Sequence, residues 1–204
     1  MSWPKMKKVN NSIGLFGGTF DPPHIGHMVV AEWLSEVLEI EKTFFIPTKI
    51  HPLKKRPEIS TSTIRKEMIT AVLQDYANFE LSTFEIDRDT ISYTIDTIKH
   101  FKTKYPQSEI FYLIGADNLD SFLQWKDPFQ ILELCYLVVY NRGTKNEKND
   151  LIDHPKVLTI ESPLIEISSS HVRKRIAKQM PFRSLVPHQV FQYITQNKLY
   201  KNNS

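Results

Sequence analysis

The segment richest in chemistry is Gly17-Gly18-Thr19-Phe20-Asp21-Pro22-Pro23-His24-Ile25-Gly26-His27. Two adjacent glycines let the backbone approach a ligand closely and present its N–H groups. Thr19 adds a hydroxyl donor. A helix beginning near Ile25 points the positive end of its dipole back at this turn, which favours an anion there. His24 and His27 are three residues apart and so share one face of the first helical turn. Together these residues make a phosphate cradle with two imidazoles above it. The segment has no lysine, so it is not a P-loop, and its glycines do not follow the dinucleotide pattern G-x-G-x-x-G. A zinc site built on His24 and His27 would need a third ligand that the sequence does not identify.

The elements that must position these residues alternate. Ile13 to Phe16 is a short apolar run that stops at Gly17-Gly18, a buried strand feeding a tight turn. The spacing predicts a helix over about 25–38, with Glu32, Ser35, Glu36 and Glu39 as a polar stripe and Val29, Val30, Trp33, Leu34, Val37 and Leu38 covering the rest. Thr43 to Ile46 reads as a second strand ended by Pro47. Residues 47–60 form a loop with local positive charge, carrying Lys49, His51, Lys54, Lys55 and Arg56 among Pro47, Pro52 and Pro57. Helices follow at about 62–74 and 92–104, the second capped by Ser92. Glu109 to Ile114 reads as a central strand ending at Gly115. Asp127-Pro128 is a helix start, with Asp as N-cap and Pro at the first helical position. Strands are expected at Tyr136 to Tyr140 and Lys156 to Ile160, with a polar loop over 141–155 between them. From about Ser169 onward the chain reads as helical, with a break between Pro181 and Pro187. Such alternation predicts a Rossmann-like α/β fold: a mainly parallel sheet, helices on both faces, and a small helical C-terminal part over about 169–204 within one domain. Sheets of this kind bind ligands at the carboxyl ends of their strands. The segments after Phe16, Ile46, Ile114 and Tyr140 are therefore where a site is expected.

Composition narrows the partners. Only six residues are glycine, where average usage would give about 14, and three of the six fall in the segment described above. The net charge is +3, from 26 basic and 23 acidic residues. That is mildly basic and suits anionic small molecules; the basic residues gather in one loop and a C-terminal helix without interleaved aromatics, which argues against nucleic acid. The longest apolar stretch, Leu134 to Tyr140, falls far short of the roughly 20 residues of a membrane span. Lys5, Lys7 and Lys8 are followed by Val9, Asn10, Asn11 and Ser12 rather than by the apolar core of a signal peptide. The single cysteine, Cys135, forms no disulfide within the chain, and a reducing, cytoplasmic setting fits it. A homo-oligomer stays open.

The first segment, read as G-G-T-F-D-P-x-H-x-G-H, closely resembles the signature of the nucleotidylyltransferase superfamily, whose ATP site carries a T/H-x-G-H motif, here His24 to His27. A second superfamily motif, I-S-S-T-x-x-R, is matched by Ile167-Ser168-Ser169-Ser170-His171-Val172-Arg173, which departs only at Ser170, where serine keeps the hydroxyl. Three hydroxyls and free N–H groups at a helix start, with a guanidinium one turn later, suit a triphosphate tail. Two middle segments resemble those of bacterial nicotinate-nucleotide adenylyltransferases: Ser92-Tyr93-Thr94-Ile95-Asp96-Thr97, and Ile114-Gly115-Ala116-Asp117-Asn118 followed by Trp125-Lys126. Tyr140-Asn141-Arg142-Gly143 is more loosely similar to their R-x-G element. In the loop Pro47 to Lys54, only Pro47, Pro52 and Lys54 match; His51 and Leu53 depart.

The resemblance, over about residues 12–200, implies a reaction: AMP passes from ATP to nicotinate mononucleotide, giving deamido-NAD and pyrophosphate, by direct in-line attack without a covalent intermediate. The attacking phosphate oxygen is already anionic, so no general base is needed; positioning and electrostatics supply the catalysis. The resemblance places His24, His27 and Arg173 as catalytic residues. Gly17, Gly18, Thr19, Phe20, Ser168, Ser169 and Ser170 join them at ATP, and Thr94, Asp117, Trp125 and Lys54 lie at the mononucleotide. Mg²⁺ held mainly by phosphates and water, with no protein metal site, is implied. Nicotinamide mononucleotide or phosphopantetheine as acceptor, or a non-catalytic nucleotide-binding module, are the alternatives.

Overall fold

The computed structural model describes residues 11–49, 59–141 and 150–201. Within them six strands form one wholly parallel sheet: β1 (Ser12–Gly18), β2 (Lys42–Pro47), β3 (Phe79–Leu81), β4 (Glu109–Gly115), β5 (Tyr136–Asn141) and β6 (Val157–Glu161). Their spatial order is β3-β2-β1-β4-β5-β6. The order reverses between β1 and β4, and a doubly wound sheet opens its ligand crevice at that reversal. The sequence places its glycines there: β1 ends at Gly17-Gly18 and β4 at Gly115.

The helices are α1 (Ile25–Val37), α2 (Ser62–Leu73), α3 (Thr94–Lys104), α4 (Ala116–Leu119), α5 (Pro128–Leu134), α6 (Ser169–Ala177) and α7 (His188–Gln196). Successive strand residues point to opposite faces, and the core divides accordingly. Phe16, Phe45, Phe111, Leu113 and Val138 pack with α1, α2, α6 and α7. Leu15, Phe44, Ile110, Tyr112, Ile114 and Val139 pack with α3, α4 and α5. Helices thus cover both faces, as the alternation predicts. Val172, Ile176, Val190 and Ile194 share a core with the strands, so the C-terminal helices belong to the same hydrophobic body. The break falls where the prolines set it: α6 ends before Pro181, and Pro187 is the N-cap of α7.

Local expectations fail where tertiary partners override the pattern. Ser35, expected on a polar stripe, is 6 % exposed, because its hydroxyl is 2.8 Å from that of Thr43 on β2. Ser92 is not the cap of α3; Tyr93 is, and the Ser92 hydroxyl instead donates to the Glu85 carbonyl at 3.4 Å. Asp127 is the N-cap of α5 with Pro128 following, but its backbone is left-handed at φ 52° and its side chain makes no cap bond. β3, with three residues, is too short for a period to announce it, and the loop expected over 141–155 contains a 3₁₀ turn over Asp150–Asp153.

Candidate active site

Two glycines at the end of β1 and the start of α1 are required by what lies against them. A Cβ on Gly17 would stand 2.7 Å from the Tyr112 hydroxyl, and one on Gly26 3.1 Å from the His24 ring. The first keeps the end of β1 close to β4; the second lets the α1 backbone lie against an imidazole. The rings of His24 and His27 stack with centroids 3.6 Å apart and planes at 22°. His24 is 2 % exposed, whereas His27 is partly exposed. The His24 N–H donates to His27 Nδ1 at 3.1 Å. A ring that accepts at Nδ1 carries its proton on Nε2 when neutral, so the cap presents His27 as an Nε2 donor. Phe20 is 1 % exposed and lies edge-on to His27 at 4.9 Å. Its ring supports the histidine, and only its backbone is left for a ligand.

The two distant motifs are joined directly. Arg173 Nη1 donates to the Asp21 carbonyl at 2.6 Å and stands 3.7 Å from Asp21 Oδ2. Ser169 donates its hydroxyl to the Pro22 carbonyl at 2.9 Å. Ser168 is the N-cap of α6 and accepts the His171 N–H at 3.1 Å. Ser169 has therefore committed its proton to the loop. Ser170 sits half-buried in the same first turn.

Residues without an assigned part hold this junction. Asp21 is fully buried; its Oδ2 accepts the Ser60 N–H at 3.1 Å and its Oδ1 the Tyr200 hydroxyl at 2.7 Å. Arg65, 1 % exposed on α2, donates to the Thr19 carbonyl at 2.8 Å and the Ser60 carbonyl at 3.2 Å. Burial pushes the Arg65 pKa down, and the Asp21 charge opposes that. A signal for Arg65 exists in the sequence: it lies three, four and seven residues before Met68, Ile69 and Val72, so it falls on the buried stripe.

A cleft of about 430 Å³ opens between the ends of β1 and β4. Gly17, Gly18 and Thr19 form one wall; Thr94 and Trp125 form another. Trp125 is half-buried, set edge-to-face on Tyr112 at 6.2 Å and tilted on Phe122 at 5.4 Å. Tyr112 and Glu85, unassigned by the sequence, also line the cleft. The Tyr112 hydroxyl is 3.4 Å from Thr94 Oγ1, and burial raises its pKa far above the ordinary phenol value. Asp117 is exposed in the first turn of α4, while the cleft wall there is Gly115 and Asn118. Lys54, with His51, Arg142 and Gly143, lies outside the described residues.

The arrangement can bind phosphate at the turn and a flat, polar molecule in the cleft beside it. Residues 15–175 match the cytidylyltransferase-like family model. A protein of Exiguobacterium sibiricum named "Probable nicotinate-nucleotide adenylyltransferase" is 38% identical over 189 residues, covering 92% of this chain and 98% of its own. One of Dictyoglomus turgidum with the same name is 36% identical over 193 residues, covering 92% and 95%. Among solved structures, the Plasmodium falciparum nicotinic acid mononucleotide adenylyltransferase complexed with NaAD superposes with a TM-score of 0.79 at 21% identity, covering 94% of this chain and 98% of that one. At that identity the likeness speaks for the fold.

Proposed function

The chain belongs to the cytidylyltransferase-like family and, within it, to the nicotinate-nucleotide adenylyltransferases, and from this we propose that it transfers AMP from ATP to nicotinate mononucleotide, releasing pyrophosphate. The observation that carries the proposal is the junction of the two motifs beside the cleft: Arg173 on Asp21 and Ser169 on Pro22. It sets a guanidinium and a helix start next to the histidine turn, as one anion site adjoining a second pocket.

The acceptor's phosphate oxygen attacks the α-phosphorus of ATP. That P–O bond forms as the bond to the leaving pyrophosphate breaks, and no proton need leave the nucleophile. Gly17, Gly18 and Thr19 offer donors at the turn, and His27 offers Nε2–H toward the α-phosphate with His24 stacked against it. Arg173 and the Ser168–Ser170 helix start face the β- and γ-phosphates. Because the Ser169 proton is taken by Pro22, its part is to dock α6, while Ser170 and the backbone N–H groups donate. Thr94 and Trp125 receive the mononucleotide, the indole stacking on the pyridine ring. Asp117 stands at the rim toward the nucleotide sugar, and Lys54 keeps the mononucleotide role that the resemblance gives it. Phe20 contributes through its backbone.

Mg²⁺ keeps several waters and binds through substrate phosphates rather than all-protein cages; among the described residues no three His, Cys, Asp or Glu side chains converge. An ion carried by ATP would neutralise charge developing on pyrophosphate. The shared core supports a single nucleotidyltransferase domain with the part from residue 169 as its extension. Among the described residues no helix is long and apolar enough to cross a membrane; a cytoplasmic location and small-molecule partners accord with the reading.

The test is adenylylation of nicotinate mononucleotide followed by pyrophosphate release. Turnover dependent on both substrates is expected. Its absence, or a strong preference for the amide mononucleotide in kcat/KM, would overturn the acceptor assignment.

A further inference from the structure

The cleft wall includes a buried glutamate. Glu85, which follows β3, is 3 % exposed and lines the cleft. Its Oε1 accepts the Thr97 hydroxyl at 2.7 Å, and its carbonyl accepts the Ser92 hydroxyl at 3.4 Å. Both partners flank the entry of α3. One residue therefore sets where Ser92, Tyr93 and Thr94 stand, and all three line the cleft.

The acceptor proposed above bears a ring carboxylate; its amide analogue does not. An ionised carboxyl on the wall of the cleft repels the first and not the second. Resting on the adenylyltransferase reading, we infer that Glu85 is a specificity-determining residue of the acceptor site: protonated, it admits the acid mononucleotide, and ionised, it shifts preference toward the uncharged amide.

The surrounding charges bear on this. Arg88, on the same loop, stands 3.7 Å from Asp96 of α3 and lies over the Phe84 ring at 5.1 Å. Lys49, from beyond β2, donates to the Arg88 carbonyl at 2.6 Å and pairs with Asp89. His100 of α3 stacks on Phe84. Tyr112 of β4 and Lys126 also line the cleft, the latter's ammonium 4.7 Å over the Tyr93 ring. Burial is the largest influence on Glu85 and pushes its pKa up to about 6; the Thr97 hydrogen bond and the Arg88 charge pull the other way. A bound anionic ring would push it further up, so both forms are accessible near neutrality.

The experiment measures kcat/KM for nicotinate and nicotinamide mononucleotides from about pH 5.5 to about pH 8 in wild type and Glu85→Gln. Glutamine can still accept the Thr97 hydroxyl but cannot ionise. The acceptor phosphate titrates near pH 6, but it is common to both substrates and cancels in the acid-to-amide ratio. In wild type the ratio should fall several-fold with rising pH. In Glu85→Gln it should be flat and, above about pH 7, several-fold higher than in wild type. Where the amide turns over too slowly, its inhibition constant replaces kcat/KM. Calorimetry in buffers of different ionisation enthalpy should show more proton uptake on binding the acid mononucleotide in wild type than in the variant. A ratio with the same pH course in both proteins, or equal proton uptake, overturns the inference. Failure of the wild type to adenylylate either mononucleotide overturns the proposed function instead.

Discussion

Tyr200 donates its hydroxyl to Asp21 Oδ1 at 2.7 Å across 179 residues of chain. The receiving carboxylate is fully buried and also takes the Ser60 N–H at 3.1 Å. Burial and the Asp21 charge push the Tyr200 phenol far above its ordinary pKa, so it remains a donor at every working pH. The bond fastens the C-terminal segment to the loop that anchors Arg173.

Tyr200→Phe removes that donor and keeps the ring. A bond to a buried charged group is worth about 1–3 kcal/mol, so urea unfolding should show a loss of that order. The KM for ATP should rise several-fold while the KM for the mononucleotide moves little, because the proposed function puts the loop on the phosphate side. Equal changes in both constants would sink the local account.

His27 has two nitrogens with separate tasks. Nδ1 takes the His24 N–H at 3.1 Å, and the function proposed above gives Nε2 the α-phosphate. Asparagine mimics the first nitrogen and glutamine approaches the second. His27→Asn should keep the stability of the wild type yet lose about 10²–10³ in kcat, the scale for one transition-state donor. His27→Gln should be less stable and more active than His27→Asn. The reverse order in thermal melts and turnover would refute the division.

Gly17→Ala directs a Cβ to within 2.7 Å of the Tyr112 hydroxyl. Overpacking of this kind costs about 1–3 kcal/mol. The clashing atom is a single oxygen, so Tyr112→Phe in the same chain should recover much of the lost stability and acceptor affinity. A double variant as impaired as Gly17→Ala alone would place the strain in the backbone.

The sheet and the turn after β1 were legible because both are local. Apolar runs interrupted by glycine mark strand ends, and His24 and His27 are one helical turn apart. Asp21, Arg65 and Tyr200 form a junction whose members are 44 to 179 residues apart in sequence, with Asp21 and Arg65 both contacting Ser60; no period records such a meeting. Ser35 and Ser92 misled for the same reason. A hydroxyl in a helical pattern reads as solvent-facing or as a cap until its buried partner, Thr43 or Glu85, is known. Trp125 and Thr94 lie in segments that the resemblance marks, and both line the cleft; Glu85, between Phe84 and Ile86, had no motif to mark it.

Glu85 makes a prediction about stability as well as specificity. Its pKa is raised from 4.5 to about 6 in the folded protein, so the native state binds its proton more tightly than the unfolded chain does. Stability from this group is fully present below about pH 4.5 and is lost as pH rises through about 6. A shift of that size corresponds to about 2 kcal/mol. Glu85→Gln has no charge to bury and keeps an acceptor for Thr97. Its stability should match the wild type near pH 4 and exceed it by about 1–2 kcal/mol at pH 8, read from urea unfolding at each pH. A difference independent of pH would mean that the carboxyl does not titrate differently on folding, and the electrostatic account of the acceptor cleft would fall with it.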